Sequence, residues 1–216
     1  MIKQLNREDI ASMQERERAR LINSLSGFKS ANLVGTQDAQ GNPNLAIVSS
    51  VFHIGANPPL TGMIIRPDTV PRDTLSNLKA TGFYTLNHVS SDIWQKAHQT
   101  SARYAPGISE FAQVGLDTQH EAGIAAPYVA QSQLKFALAL REVLKLEING
   151  TILVIGEVMD IQLPQQSIKA DGYIDIESLN TVAISGLDSY HKTQRLGRLS
   201  YAKPEQPPRA LSLDGE

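Results

Sequence analysis

Between residues 44 and 67 the chain reads NLAIVSSVFHIGANPPLTGMIIRP. Ser49, Ser50, His53 and Asn57 fall between two apolar runs, residues 45–48 and 60–65, which are short and rich in Ile, Val and Leu, as buried strands are. The spacing predicts a strand that ends in a polar loop before the next strand begins. From such a place hydroxyls and backbone N–H groups reach a ligand while the scaffold stays rigid. Pro58 and Pro59 stiffen the loop by fixing two φ angles and removing two donors. Taken singly, a loop of this kind is more often a plain connection than a site. The residues that follow shift the weighting. Arg66, Thr69, Arg72 and Thr74 gather around the start of a predicted short helix that carries Leu75 and Leu78, has Asp73 or a neighbour as cap, and stops at Gly82. Free N–H groups, the positive end of a helix dipole and guanidinium groups together make a phosphate receptor. The plainer reading of the same residues is a surface helix with an ordinary N-cap.

Other chemistries find less support. The chain has no cysteine, which excludes disulfides, thiolate zinc sites, cysteine-ligated iron–sulfur clusters and a thiol nucleophile. His53, His88, His98, His120 and His191 are scattered without the i, i+3 or i, i+4 pairing of a helical metal site, so no metal is expected. No G-x-G-x-x-G, G-x-x-x-x-G-K or G-x-S-x-G occurs, which disfavours a dinucleotide fold, an NTPase and a serine hydrolase. With 20 basic and 22 acidic residues and a net charge of −2, no polyanion-binding surface and no nucleic-acid partner are expected. No apolar run is long enough to span a membrane and the first 25 residues are too charged for a signal-peptide core, so a soluble, cytoplasmic protein is expected.

The elements that must position these residues read as mainly β. Residues 7–25 place Ile10, Met13, Leu21 and Leu25 on one face and predict one amphipathic helix whose mixed charges form a solvated surface. Residues 29–36 and 44–50 predict a hairpin, with Asp38, Gly41 and Asn42 in its turn. Residues 83–89 alternate, with Tyr84, Leu86 and His88 on one face and Phe83, Thr85 and Asn87 on the other. Ser90 or Ser91 is expected to cap a helix with Ile93, Trp94 and Ala97, Trp94 being core, and a short helix is expected at residues 109–114. Residues 133–146 have helix-forming composition but strict alternation at Leu134, Phe136, Leu138 and Leu140; Asn149-Gly150 and the β-rich run after it decide for a strand hairpin. Residues 176–179 suit one helical turn, and Pro204, Pro207 and Pro208 an extended tail. One domain over residues 1–216 is expected, an antiparallel barrel core at about 28–165 with peripheral helices and a C-terminal extension.

A family resemblance is carried by an ordered series of fragments: Asn44, Leu45 and Ala46 with Ser49 and Ser50; Pro58, Pro59 and Leu60; Arg66, Arg72 and Thr74; and the run Phe83 to Asn87. Glu110-Phe111 with Gly115-Leu116, Ala126-Pro127-Tyr128 with Gln131-Ser132, and the run Val154 to Val158 follow in order. The series, over roughly residues 22–165, resembles the flavin reductase-like family of FMN-binding split barrels, with an antiparallel Greek-key barrel. Residues 186–202, with Tyr190, His191 and Tyr201, suggest a subgroup with its own extension.

The resemblance implies FMN bound at a homodimer interface and NAD(P)H as co-substrate. It places Arg66, Arg72 and Thr74 on the phosphate, helped by Thr69 or Asp73; Asn44, Ser49 and Ser50 along the ribityl chain and ring edge; and Asn87 and His88 where the pocket closes. Hydride transfer between stacked rings about 3–3.5 Å apart works chiefly by approximation, so no acid–base residue is singled out. His53 is more readily a hydrogen-bonded loop histidine than a ring contact. The function implied is an NAD(P)H-dependent flavin reductase passing electrons to free flavin, ferric iron or a partner oxygenase. Two alternatives stand beside it: a non-catalytic FMN-binding redox sensor or flavin carrier, in which Tyr190, His191 or Tyr201 covers the ring, and a split-barrel oxidase of the pyridoxine-phosphate type.

Overall fold

The computed structural model describes residues 1–67, 73–105 and 107–216. In chain order the elements are α1 (Arg7–Ser12), α2 (Glu15–Ser24), β1 (Lys29–Ser30), β2 (Asn32–Gln37), β3 (Pro43–Val48), β4 (Val51–Ala56), β5 (Pro59–Ile65), α3 (Asp73–Thr81), β6 (Phe83–His88), α4 (Trp94–Gln99) and α5 (Glu110–Val114). Then come β7 (Thr118–Gln119), β8 (Tyr128–Val129), β9 (Lys135–Lys145), β10 (Ile152–Gln162), a 3-10 turn (Gln165–Ser167), β11 (Val182–Ser185), β12 (Ser189–Lys192), β13 (Arg198–Leu199) and β14 (Ala210–Leu211).

The main sheet has seven antiparallel strands in the order β3-β2-β6-β9-β10-β5-β4. Laid flat at about 4.8 Å per strand, its outermost strands would stand about 29 Å apart. Yet those strands, β3 and β4, are joined only through Ser49 and Ser50, a link that reaches about 11 Å fully stretched. The sheet therefore curls until its two ends meet. Register shifts at Ile155/Gly156 and Val158/Asp160 in β10 and at His53/Gly55 in β4 supply the bends. The result is an antiparallel split barrel, as expected.

Alternation sorts the side chains into two cores. Val34, Met63, Tyr84, Leu86, Leu138 and Val154 fill the barrel, and Leu75 and Leu78 of α3 join them as a plug at one end. Leu33, Leu45, Val89 and Val129 face outward and pack with Ile93 and Ala97 from the α4 region, Phe111 of α5 and Val182 and Ile184 of β11. Gly35 lets two layers close: a Cβ there would lie 2.1 Å from the Pro127 carbonyl oxygen.

Several expectations are corrected. The N-terminal helix is two: an Asn6 capping box starts α1, and Met13 is extended before α2 begins. Arg18 donates to the carbonyls of Ala11 and Met13, satisfying the end of α1 at that break. The region after Ser50 is not a loop but strand β4, paired along β5, with Phe52 lying across Gly62. Ser90 accepts from the Asp92 N–H in a turn, and α4 starts later at Trp94, with Ile93 as N-cap and no side-chain cap. Residues 176–180 form a hydrogen-bonded turn rather than a helix. The hairpin of β9 and β10 forms as expected, with Asn149 Oδ1 accepting from the N–H and hydroxyl of Thr151.

Candidate functional site

At the plugged end of the barrel three elements meet through polar side chains. Asn44 of β3 lies opposite Thr36 of β2. Its Nδ2 donates to Thr36 Oγ1 at 3.2 Å and to Thr74 Oγ1 at 3.1 Å, while Asn77 Nδ2 donates to Thr36 Oγ1 at 3.3 Å. The first turn of α3, opened by Asp73 and Thr74, is thereby set against the start of β3. First-turn N–H groups of a helix have no partner within it, so this is a donor-rich corner. Arg66 follows β5 and is exposed. Thr69 and Arg72 lie outside the described residues.

From this corner the outer edge of β3 leads to the serines. The Leu45 N–H donates to Glu110 Oε2 at 3.0 Å, away from β2. Strand alternation turns the Ile47 N–H the same way, so with the Leu45 N–H taken by Glu110 it is the backbone donor that β3 offers along that edge. At about 3.3 Å per residue the edge runs about 16 Å from Asn44 to Ser49. Its far end is pinned by Ser50, whose hydroxyl donates to the Ile64 carbonyl at 2.7 Å and whose carbonyl accepts from the Ile64 N–H at 3.4 Å. Burial raises the Glu110 carboxyl above its ordinary value against the lowering effect of the backbone N–H bonds it accepts, and the Asp73 charge raises it further.

This arrangement, a curled antiparallel barrel with a polar edge between a helix start and a serine corner, coincides with a known domain: residues 26–177 match the flavin reductase like domain. The chain belongs to the flavin reductase-like family. A split-barrel protein from Shewanella frigidimarina NCIMB 400, described as a candidate flavin reductase, is 52% identical with a TM-score of 0.90, the match covering 93% of this chain and 100% of that one. Nitrilotriacetate monooxygenase component B from Bacillus cereus shares the fold at 20% identity and a TM-score of 0.81, over 92% of this chain and 99% of its own. An uncharacterized protein of Deinococcus radiodurans is 27% identical over 168 residues, 74% of this chain and 73% of the relative.

In this flavin reductase-like chain the residues expected at the site separate into two groups. Asn44, Ser49, Ser50, Asp73 and Thr74 are distributed along one continuous edge. Asn87 is not on it. Its side chain is fully buried and fully used, Nδ2 donating to the Leu33 carbonyl and Thr85 Oγ1, and Oδ1 accepting from the Val129 N–H. Asn87 therefore holds β6 to the segment around β8, and its carboxamide is occupied within the fold. His88 faces the barrel interior; burial lowers its imidazole to about 4, so it is neutral at pH 7. His53 is exposed on β4. Trp94 is partly exposed and packs on Tyr190, whose hydroxyl meets His98 Nδ1 at 3.0 Å. His191 is held by Ser185 and Phe28, and Tyr201 is exposed.

Sequence reasoning missed Thr36 and Asn77 and read Glu110 only as a family match. Thr36 and Asn77 carry no local signal, because they become neighbours only when α3 plugs the barrel. The donor set fits FMN: helix N–H groups and the Thr74 hydroxyl at one end, the outward Ile47 N–H on the strand edge, and the serine corner at the other. Among the described residues, no three His, Asp or Glu side chains come together as metal ligands, and no helix is long and apolar enough to cross a membrane.

Proposed function

We propose that this chain is one FMN-binding domain that works as an NAD(P)H-dependent flavin reductase in the cytoplasm, as a homodimer. The observation that carries the reading is the Asn44–Thr74 hydrogen bond, which sets the open edge of β3 against the start of α3. Arg66, Arg72 and Thr74, with Thr69 or Asp73, hold the phosphate; Asn44, Ser49, Ser50 and the Ile47 N–H line the ribityl chain and the polar edge of the ring. Bound flavin supplies the chemistry by accepting hydride from the reduced nicotinamide. The protein contributes orientation and exclusion of water, which is why no acid–base residue is assigned. Phe52, Ile54 and Leu144 are apolar and between 40% and 45% exposed. With Ile64, Leu153 and Ile155 they share the outer face of the β9-β10-β5-β4 half of the barrel, the surface we assign to a second copy of the chain.

Electrons then pass to free flavin, ferric iron or a partner oxygenase. The Bacillus cereus neighbour is itself component B of a monooxygenase, a likeness that at its low identity carries the fold alone. A second reading, a flavin-binding sensor or carrier without turnover, draws on one observation: Tyr190 packs on the same outer core as Ile47 of β3, beside the proposed ring.

The purified protein with added FMN is expected to oxidise NADH or NADPH well above a heat-killed control; absence of oxidation rejects the reductase reading. A stable yellow protein without NAD(P)H oxidation selects the sensor. Arg72→Ala is expected to weaken FMN binding by about 1.5–3 kcal/mol through loss of a charge-assisted bond. Unchanged affinity in a fluorescence titration removes Arg72 from the site.

A further inference from the structure

Among the described residues, three polar side chains inside the barrel are left without a hydrogen-bond partner, the Tyr84 hydroxyl, Asn32 and His88, and the last two stand opposite the α3 plug. Asn32 is 1% exposed, and neither its Oδ1 nor its Nδ2 has a hydrogen-bond partner; the Nδ1 of His88 is sealed from solvent and equally without one. The two residues are register partners on β2 and β6. Because the Val89 N–H donates to the Ala31 carbonyl at 3.1 Å, the neighbouring 32/88 pair is of the non-hydrogen-bonded type, in which Cα atoms stand about 4.5 Å apart and side chains come closest. They nevertheless make no bond to each other. Each buried polar group left unmade costs about 1–3 kcal/mol, and folded proteins meet that cost with ordered water wherever two to four polar partners converge. Here three do.

We propose that one ordered water sits between Asn32 and His88, donating to His88 Nδ1 and exchanging hydrogen bonds with the Asn32 carboxamide. A donor at Nδ1 leaves the ring proton of a neutral imidazole on Nε2. His88 is only partly buried, and its ring packs edge-on against Phe136 with centroids 6.4 Å apart. Asn32 is also the register partner of Val48, the residue before Ser49. β2 thus separates His88 from the end of β3; the Nε2–H, directed past it to the serine corner, would favour a neutral acceptor, the carbonyl of a ring or a carboxamide, over an amine or a cation. This last step rests on the flavin reading; the water and the tautomer do not.

The test begins with flavin-free protein. A high-resolution crystal structure is expected to show one water within hydrogen-bond reach of Asn32 and His88 Nδ1, and nitrogen-15 spectra of the histidine ring to show the Nε2–H tautomer. A direct Asn32–His88 hydrogen bond, or a proton on Nδ1, overturns the proposal. Asn32→Leu, checked for folding by circular dichroism, is expected to lose the water and the single tautomer; retention of both also overturns it. With FMN then added, Asn32→Leu is expected to bind about ten-fold more weakly. Equal binding by both proteins rejects the selective role of His88, and absence of binding by the unaltered protein rejects the flavin reading while the water result stands.

Discussion

Burial pulls the His88 imidazole from an ordinary value of 6.5 to about 4. Between those values the unfolded chain carries a proton that the folded chain does not, so folding stability falls as pH drops from about 6.5 to about 4 and levels off below. The full effect amounts to about 3 kcal/mol. Urea midpoints measured at pH 7 and pH 4 are expected to differ more for the unaltered protein than for His88→Phe; parallel pH profiles would show that His88 does not resist protonation. Lys135 is the second residue out of its usual place, buried and donating to Gln119 Oε1 at 2.6 Å and to the carbonyls of Val129 and Ala130 at 3.2 Å. Burial lowers its pKa. Lys135→Met removes all three bonds, although the Val129 carbonyl keeps the Ser132 N–H at 3.1 Å, and is expected to cost about 1–3 kcal/mol in chemical denaturation.

Among the elements, β2 bears the most demand, because β3, β6 and α3 all lean on it. Thr85 Oγ1 donates to the Pro127 carbonyl at 2.6 Å across the gap that Gly35 leaves. Gly35→Ala drives a methyl into that bond and is expected to destabilise by about 1–3 kcal/mol. Its thermal midpoint is expected to fall with secondary structure intact, and an unchanged midpoint would mean the 127–129 segment yields freely. The same geometry explains the site: α3 plugs the barrel with Leu75 and Leu78, and the plug is what places Thr74 beside Asn44.

Across the whole molecule, the C-terminal segment is tied down by one knot of charge. Arg198 pairs with Asp171, donates to the Leu213 carbonyl at 2.6 Å and stacks over the Tyr173 ring at 4.3 Å, while Arg195 pairs with Asp175 and Glu177. Around that knot Leu196 and Tyr201 stand fully or almost fully exposed. Arg198→Ala is expected to open residues 193–216 to limited proteolysis while the barrel, in which Arg198 has no part, keeps its melting temperature. Equal protease resistance would show that the other contacts suffice.

Local pattern was enough for the barrel staves. The alternation in residues 83–89 and 133–146 and the turn residues Asp38, Gly41 and Asn42 are short-range signals, and the strands found, Phe83–His88, Lys135–Lys145 and the β2–β3 hairpin, fall on them. Spacing along the chain also placed Ser49, Ser50, Asp73 and Thr74 near element ends, which needs no knowledge of neighbours. Strand β4 was hidden because His53, Gly55 and the nearby Pro58 carry loop chemistry and outweigh the strand preference of Val51, Phe52 and Ile54 until β4 pairs with β5. The part played by Asn87 was equally hidden: its partners Leu33 and Val129 are 54 and 42 residues away. A sequence states which groups a residue offers, whereas closure of the barrel decides which of those groups are used up inside and which remain for a ligand.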